Sequence, residues 1–286
     1  MSTPIAELFE ADFLSWSLSD QIADCDRYEL APLFLRLFSD KQPVLEAGCG
    51  SGRWCGWLNK HSIRSDGIDW SKELCNRASR EIPSSRFIAC DMKSTPLPDR
   101  SYGGVIALGS VEHAAEGPQP VLRELHRLLK PDGIAVITIP YGGRLRIFLR
   151  LLSKPALFLK SIPFIRALFQ KPVAGSKLQE VARGTNKKWH PRFSYGKEGW
   201  SFFEYEFNKA QMREFLAETG FEIREEFVGF GDEGISNNFG VLAGKWNKKR
   251  CKVDFTLLGI LLRKMIPVKI MGHMLCYVVA KKPFGG

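Results

Sequence analysis

Residues 44–54 read VLEAGCGSGRW, a short apolar run followed by glycine at positions 48, 50 and 52. Glycine weakens helix and strand alike, so this spacing marks a turn that needs unusual backbone dihedrals or a close approach. The run VLEA before it reads as a buried strand, and RWCGWLNK after it reads as a helix. A glycine-rich turn between the first strand and the first helix is where open α/β sheets bind ligands, beyond the carboxyl ends of their strands.

Working outward, SDGIDW predicts a second strand ending on Asp69, and SKELCNRASREI a helix with Ser71 as its cap. RFIACD (86–91) predicts a third strand, and YGGVIALGS a fourth. PVLRELHRLLK is a helix with Leu122, Leu125 and Leu129 on one face, and IAVITIP is a β-branched run typical of a central parallel strand. The rhythm breaks after Pro140 and resumes with FNKAQMREFLAETGFEI, where Asn208 and Gln211 form a capping box and Gly220 ends the helix. FEIREEFVGF and MLCYVVAKKP are the last strands. This alternation predicts a doubly wound α/β sheet of mostly parallel order. One domain spans 1–286, with a helical N-terminal lid over 1–40, a helical cap insertion over 141–206 and a second insertion over 231–272.

Three strand tips carry polar devices. Besides the glycine turn, Asp69 can accept hydrogen bonds from two ribose hydroxyls, and Asp91 from an adenine amine. A dinucleotide fingerprint, G-x-G-x-x-G/A, fails because Arg53 holds its sixth position. The pattern is instead E-x-G-x-G-x-G, Glu46 to Gly52.

These stretches resemble a class I S-adenosylmethionine-dependent methyltransferase of the ubiquinone/menaquinone-biosynthesis-like branch. VLEAGCGSG is similar to its first motif, GIDWS to its second, CDMKSTPLPDRSYGGVIALGSVEH to its third and fourth, and LRELHRLLKPDGIAVITIP to its fifth. The resemblance implies a Rossmann-like seven-stranded sheet whose last strand is antiparallel, and S-adenosyl-L-methionine as cofactor. It implies that Gly48, Gly50 and Gly52 pass beside the methionine portion and that Glu46 holds its amino group. Asp69 would bind the ribose, Trp70 would pack on the adenine, and Asp91 with the backbone of Met92 would read the adenine edge.

Methyl transfer from a sulfonium is an in-line displacement in which positioning can supply roughly 7–11 kcal/mol. A base is needed only where the acceptor must lose a proton. His113, after the fourth strand, and Tyr141, after the fifth, are the expected catalytic residues; Glu112 and His190 are weaker candidates. His126 lies mid-helix, and Cys49 has no histidine partner that would make it a nucleophile. In quinone O-methyltransferases a metal site resembles E-x-x-E-H. In GSVEH (109–113) Gly109 replaces the first acid, so no metal is expected.

The formal net charge is +10, unevenly placed. Residues 144–171 hold seven bases, no acid and many Leu, Ile and Phe, broken by Pro155 and Pro163. Leu145, Phe148, Leu149 and Leu152 share one helical face with Arg146 and Arg150 opposite. The apolar runs are too short to span a bilayer, but short basic amphipathic helices lie in a membrane interface; residues 245–270 repeat the theme. The expected acceptor is small and hydrophobic or lipid-linked, met at an anionic membrane surface. A sugar O-methyltransferase of surface-polysaccharide assembly is the alternative. LGSVEH lacks the N-P-P-Y-like segment of many base methyltransferases, which argues against nucleic acid, and intact cofactor motifs argue against a non-catalytic partner. Seven scattered cysteines without a CxxC pair, and an acidic N-terminus, favour a reducing cytoplasmic location, peripheral on the inner face of the membrane.

Overall fold

The computed structural model describes residues 10–141, 185–196, 199–247 and 252–282. Seven strands form one sheet: β1 (Val44–Ala47), β2 (Ser65–Asp69), β3 (Phe87–Ala89), β4 (Tyr102–Leu108), β5 (Leu129–Pro140), β8 (Phe221–Gly229) and β11 (Met274–Lys281). Their order is β3-β2-β1-β4-β5-β11-β8. β1 pairs in parallel with β2 and β4, and β4 with β5, whereas β11 runs antiparallel to both β5 and β8. The order reverses at β1, so the turn after β1 lies at the topological switch point where such sheets bind ligands.

Both faces of the sheet are covered, which is why its strands are apolar along their length. Alternation sends Leu45, Val105, Ala107 and Ile137 into one core, and Val44, Ile106 and Val136 into the other. The first core is closed by α5 (Gln119–Leu128) and α6 (Lys209–Glu218), the second by α1 (Leu18–Asp24), α2 (Leu30–Phe38) and α3 (Arg53–Lys60). Leu122, Leu125 and Leu128 of α5 are fully buried, each stabilising by about 2 kcal/mol. α6 starts on the expected capping box, Asn208 and Gln211 each bonding the other's backbone amide, and Gly220 follows its end at φ 86°. Ser71 caps α4 (Lys72–Glu81), accepting from Leu74 N.

The third strand is shorter than its sequence suggests. It pairs only with β2, at the sheet edge, and ends at Ala89, so Asp91 lies in the following turn. Leu129 is the first residue of β5, pairing with Tyr102, and not the end of a helix.

The described end of the first insertion is a β-hairpin, β6 (Pro191–Gly196) with β7 (Gly199–Tyr205). This hairpin stands where a helical cap was expected; Phe202 leans on the first core and Glu204 is buried, with a register shift between Arg192 and Phe193. Trp189 pins it, with ring centroids 5.3 Å from Tyr205 and 5.5 Å from Phe215. The amphipathic helices expected over 144–171 lie outside the described residues. The second insertion holds α7 (Gly231–Phe239), the hairpin β9 (Gly244–Asn247) with β10 (Lys252–Phe255), α8 (Leu257–Met265) and α9 (Val268–Met271). It has a small core of its own around Ile235, Ala243 and Met271. Among the described residues no helix is long and apolar enough to cross a membrane.

Candidate active site

The turn after β1 is built on left-handed backbone: Gly48, Gly50 and Gly52 take φ of 75°, 52° and 79°. Gly48 N and Cys49 N both donate to Ile68 O, at 2.9 and 3.0 Å, which folds the turn onto the end of β2. There Asp69 meets it. Gly50 N donates to Asp69 Oδ2 at 2.8 Å and Ser71 N to Oδ1 at 2.9 Å. Asp69 is buried, and that burial raises its carboxyl pKa against the pull of these amides.

Glu46 sits behind the turn. Its Oε2 accepts from Cys55 N at 3.1 Å and Cys55 Sγ at 3.3 Å, at the positive end of α3. Only 5% of it is exposed, and burial pushes its pKa up to about 7. Cys49 is buried too; a hydrogen bond with Cys75 and desolvation raise its thiol pKa, which agrees with rejecting it as a nucleophile.

On the β4 side, Ser110 donates through Oγ to Ala47 O at 3.2 Å. A Cβ on Gly48 would stand 2.8 Å from Ser110 Cβ and 3.4 Å from Met92 Sδ. The structure therefore brings Met92 to the glycine turn. Trp70 follows Asp69 and is 42% exposed, offering a ring face at the tip of β2. Asp91 is exposed and engages Lys93, accepting from its amide at 2.9 Å and lying 3.5 Å from its Nζ.

Residues 10–14 are helical and lie across this site. The Phe13 ring stands 3.3 Å from where a Cβ on Gly50 would be, and Glu10 accepts from Ser71 Oγ. Arg77 of α4 holds the segment through its main chain, donating to Phe13 O at 3.1 Å, Leu14 O at 2.9 Å and Trp16 O at 2.7 Å. Neither Phe13 nor Arg77 belongs to the glycine motif, and an aromatic ahead of the first strand has no spacing signal to reveal it.

Beyond β4, Val111–His113 forms a single 3-10 turn. His113 Nδ1 lies 2.7 Å from Phe203 O of β7, and desolvation lowers its pKa. Glu112, 1% exposed, has its pKa raised well above the usual carboxylate range by burial. Tyr141 is half-buried against the first core, with Lys209 Nζ 5.8 Å from its ring centroid. His190 is exposed at φ 52°, and His126 packs on Gly220 and Phe221. Glu204, buried opposite Glu112 and His113, went unmarked in the sequence because only the hairpin carries it there.

A switch-point turn of left-handed glycines, a carboxylate at the next strand tip and an exposed indole beside it fit an adenosyl group with a short zwitterionic tail. Fold and site together define a class I methyltransferase architecture. Residues 45–137 match the family described as methyltransferase domain. The chain is 32% identical to a ubiquinone/menaquinone biosynthesis C-methyltransferase of Geotalea uraniireducens, across 38% of this chain and 48% of that one. It is 26% identical to a malonyl-[acyl-carrier protein] O-methyltransferase of Pseudescherichia vulneris, across 40% and 46%. A Bacillus subtilis protein whose name assigns it to 23S rRNA guanine-N(1) methylation is 31% identical, across 50% and 51%. The chain thus spans about half the length of these curated relatives. Its fold is similar to that of a SAM-dependent methyltransferase from Methanosarcina mazei, with TM-score 0.55, 15% identity and coverage of 89% and 98%. A Pyrococcus horikoshii protein gives 0.54, 17%, and 88% of each chain. Residues 45–137 therefore carry a methyltransferase domain, with S-adenosyl-L-methionine as its cofactor, and over much of that stretch the chain is similar to ubiquinone/menaquinone biosynthesis methyltransferases.

Proposed function

We propose that this protein transfers a methyl group from S-adenosylmethionine to a small hydrophobic or lipid-linked acceptor at an anionic membrane surface. The observation that carries the transfer is the Asp69 carboxylate closed onto Gly50 and Ser71 at the switch point. When bound, the cofactor supplies a methyl already activated on a sulfonium. Asp69 accepts the ribose hydroxyls, exchanging one or both amide contacts for them, and Trp70 covers the adenine. Asp91 and the Met92 backbone take the adenine edge, and Glu46 holds the ammonium end. Residues 10–16 act as a lid that excludes water. His113 and Tyr141 orient the acceptor, and in-line alignment does most of the catalytic work.

Two features support the acceptor and the membrane. A cavity of about 710 Å³ separates residues 24–32 from the second insertion, with Tyr28, Phe230, Ile235, Val253, Phe255 and Met271 among its walls. Its size suits a small molecule, and because five acids and three bases also line it, one with polar groups beside an apolar body. Tyr28 links it to the glycine turn, because the Arg53 guanidinium that follows the turn lies 5.1 Å from the Tyr28 ring. Beside it, α8 turns its apolar residues outward: Leu257 is 88% exposed, Met265 69% and Leu261 52%. Lys264 and Lys269 are exposed on the same insertion. An apolar helix face edged with bases inserts into a lipid interface and is drawn to anionic headgroups, at about 1 kcal/mol per base.

Two measurements test this reading. Calorimetry should show S-adenosylhomocysteine binding that Asp69→Ala weakens roughly tenfold or more; undiminished affinity would remove the site as drawn. Co-sedimentation should show binding to vesicles containing phosphatidylglycerol and little to pure phosphatidylcholine. Equal failure with both would end the membrane part and leave the transferase intact.

A further inference from the structure

We propose, resting on the methyl-transfer reading above, that the acceptor taken by the cavity between residues 24–32 and the second insertion carries a positively charged amine, with Glu233 as its counter-ion. The cavity holds about 710 Å³ and has an apolar side made of Ile235, Val253, Ile266 and Met271. Its charge is lopsided: Asp24, Asp26, Glu29, Asp232 and Glu233 stand against Arg27, Lys252 and Arg263. Arg27 is paired with Asp24 at 3.2 Å and Arg263 with Asp232 at 2.8 Å. That leaves Lys252 against three acids. Two of the three have partners of their own, since Asp26 accepts from Trp57 Nε1 at 2.7 Å and Glu29 accepts from Phe230 N.

Glu233 differs from the others. It lies half-buried in the first turn of α7. Its carboxylate accepts from its own backbone amide, and among the described residues no lysine or arginine stands within ion-pair distance of it. Burial pushes its pKa up to about 7; Asp232 and Glu29 add to the rise, and Arg53 opposes it. Arg53 is itself engaged, donating to the Tyr28 hydroxyl at 3.5 Å and standing 5.1 Å from that ring. A desolvated carboxylate without a cation is costly, and an ammonium group brought in by a ligand offsets that cost.

The neighbouring wall suits a cation too. The ring centroids of Tyr28 and Phe230 lie 5.8 Å apart, inclined at 56°, and aromatic faces attract ammonium groups. Phe230 holds a left-handed backbone, φ 60°, which a bulky residue keeps only where its surroundings impose it. Here Glu29 holds its amide, and His273 Nδ1 lies 3.2 Å from its carbonyl oxygen. An alcohol leaves Glu233 without a partner, and an anion adds repulsion, so the site discriminates by charge. The apolar side takes the body of the acceptor.

The test uses the full chain saturated with S-adenosylhomocysteine, so that the cofactor's own site is filled. Tryptamine, tryptophol and indole-3-propionate share one ring system and are cationic, neutral and anionic. Titrations followed by ligand-detected NMR should give tryptamine an affinity about tenfold or more above the other two, a comparison that needs no variant. Glu233→Gln, close in shape but without charge, should bring tryptamine down to the level of tryptophol and leave tryptophol unchanged. Absence of saturable tryptamine binding, equal affinity for the three probes, or equal weakening of tryptamine and tryptophol in the variant overturns the amine site; so does a variant that binds tryptamine as the wild type does. Loss of charge discrimination with S-adenosylhomocysteine still bound removes only the amine, whereas failure to bind S-adenosylhomocysteine removes the methyltransferase reading itself.

Discussion

At position 52 the backbone stands at φ 79°, and a Cβ there would lie 2.7 Å from Cε1 of Phe87. Gly52→Ala therefore combines a left-handed alanine with a clash against an edge-strand aromatic. The expected loss is about 2–4 kcal/mol, read as a shifted urea midpoint at constant slope. Glu46 makes a pH prediction. Its pKa, about 7 when folded and near 4.5 when exposed, means that the native state binds the proton more tightly. Its contribution is therefore fully present below pH 4.5 and is lost as the pH rises through 7. The 2.5-unit gap between those two values is worth about 3 kcal/mol. Glu46→Gln, which cannot ionise, should lose less stability between pH 5.5 and pH 8 than the wild type in denaturant titrations. Parallel curves would show that Glu46 is ionised in the folded protein across this range, its pKa not raised by burial. Both residues were legible in VLEAGCGSG as parts of a ligand turn. What the sequence could not reveal is that Cys55 engages Glu46 and that Phe87 packs over Gly52.

Among the elements, the N-terminal segment depends on one side chain. Arg77 donates to three main-chain carbonyls between residues 13 and 16, and its own Nε is held by Glu81 at 2.6 Å. Each such bond contributes about 1 kcal/mol net. Arg77→Ala should leave the sheet intact but free the lid, speeding S-adenosylhomocysteine release several-fold in stopped-flow traces and opening the chain to protease near residue 14. An unchanged release rate would show that residues 10–16 pack on the site without gating it. In sequence, Arg77 is an unremarked base in CNRAS (75–79); its partners are carbonyl oxygens, which no side-chain pattern reports. The hairpin β6–β7 makes the same point. It falls within the stretch expected to be a helical cap, and it docks on the 3-10 turn at Val111–His113 beside Trp189, which is seated against Gly117.

For the whole molecule, the second insertion decides how the protein meets its surroundings. α8 reaches the body through Gly259, whose Cα packs against the Ala243 carbonyl, and Gly234 of α7 meets Met271 in the same way. Close backbone contact on one side leaves Leu257, Leu261 and Met265 facing outward. The double variant Leu257→Glu with Leu261→Glu should leave the melting temperature within a degree or two, because neither side chain is buried, while abolishing sedimentation with phosphatidylglycerol vesicles. A variant that still binds these vesicles would move the lipid contact away from α8.

The strands and helices of the main sheet, the turn at the switch point and the carboxylate after it followed from the sequence alone, because each depends on local propensity or on apolar residues repeating at the strand or helix period; the hairpins and helices of the two insertions did not. The tertiary structure alone decided which distant groups meet: Phe13 over Gly50, Arg77 on the lid, and Glu204 opposite Glu112 and His113. Such contacts join segments far apart in the chain. They arise from how the layers pack, and local sequence carries no energy term that specifies them.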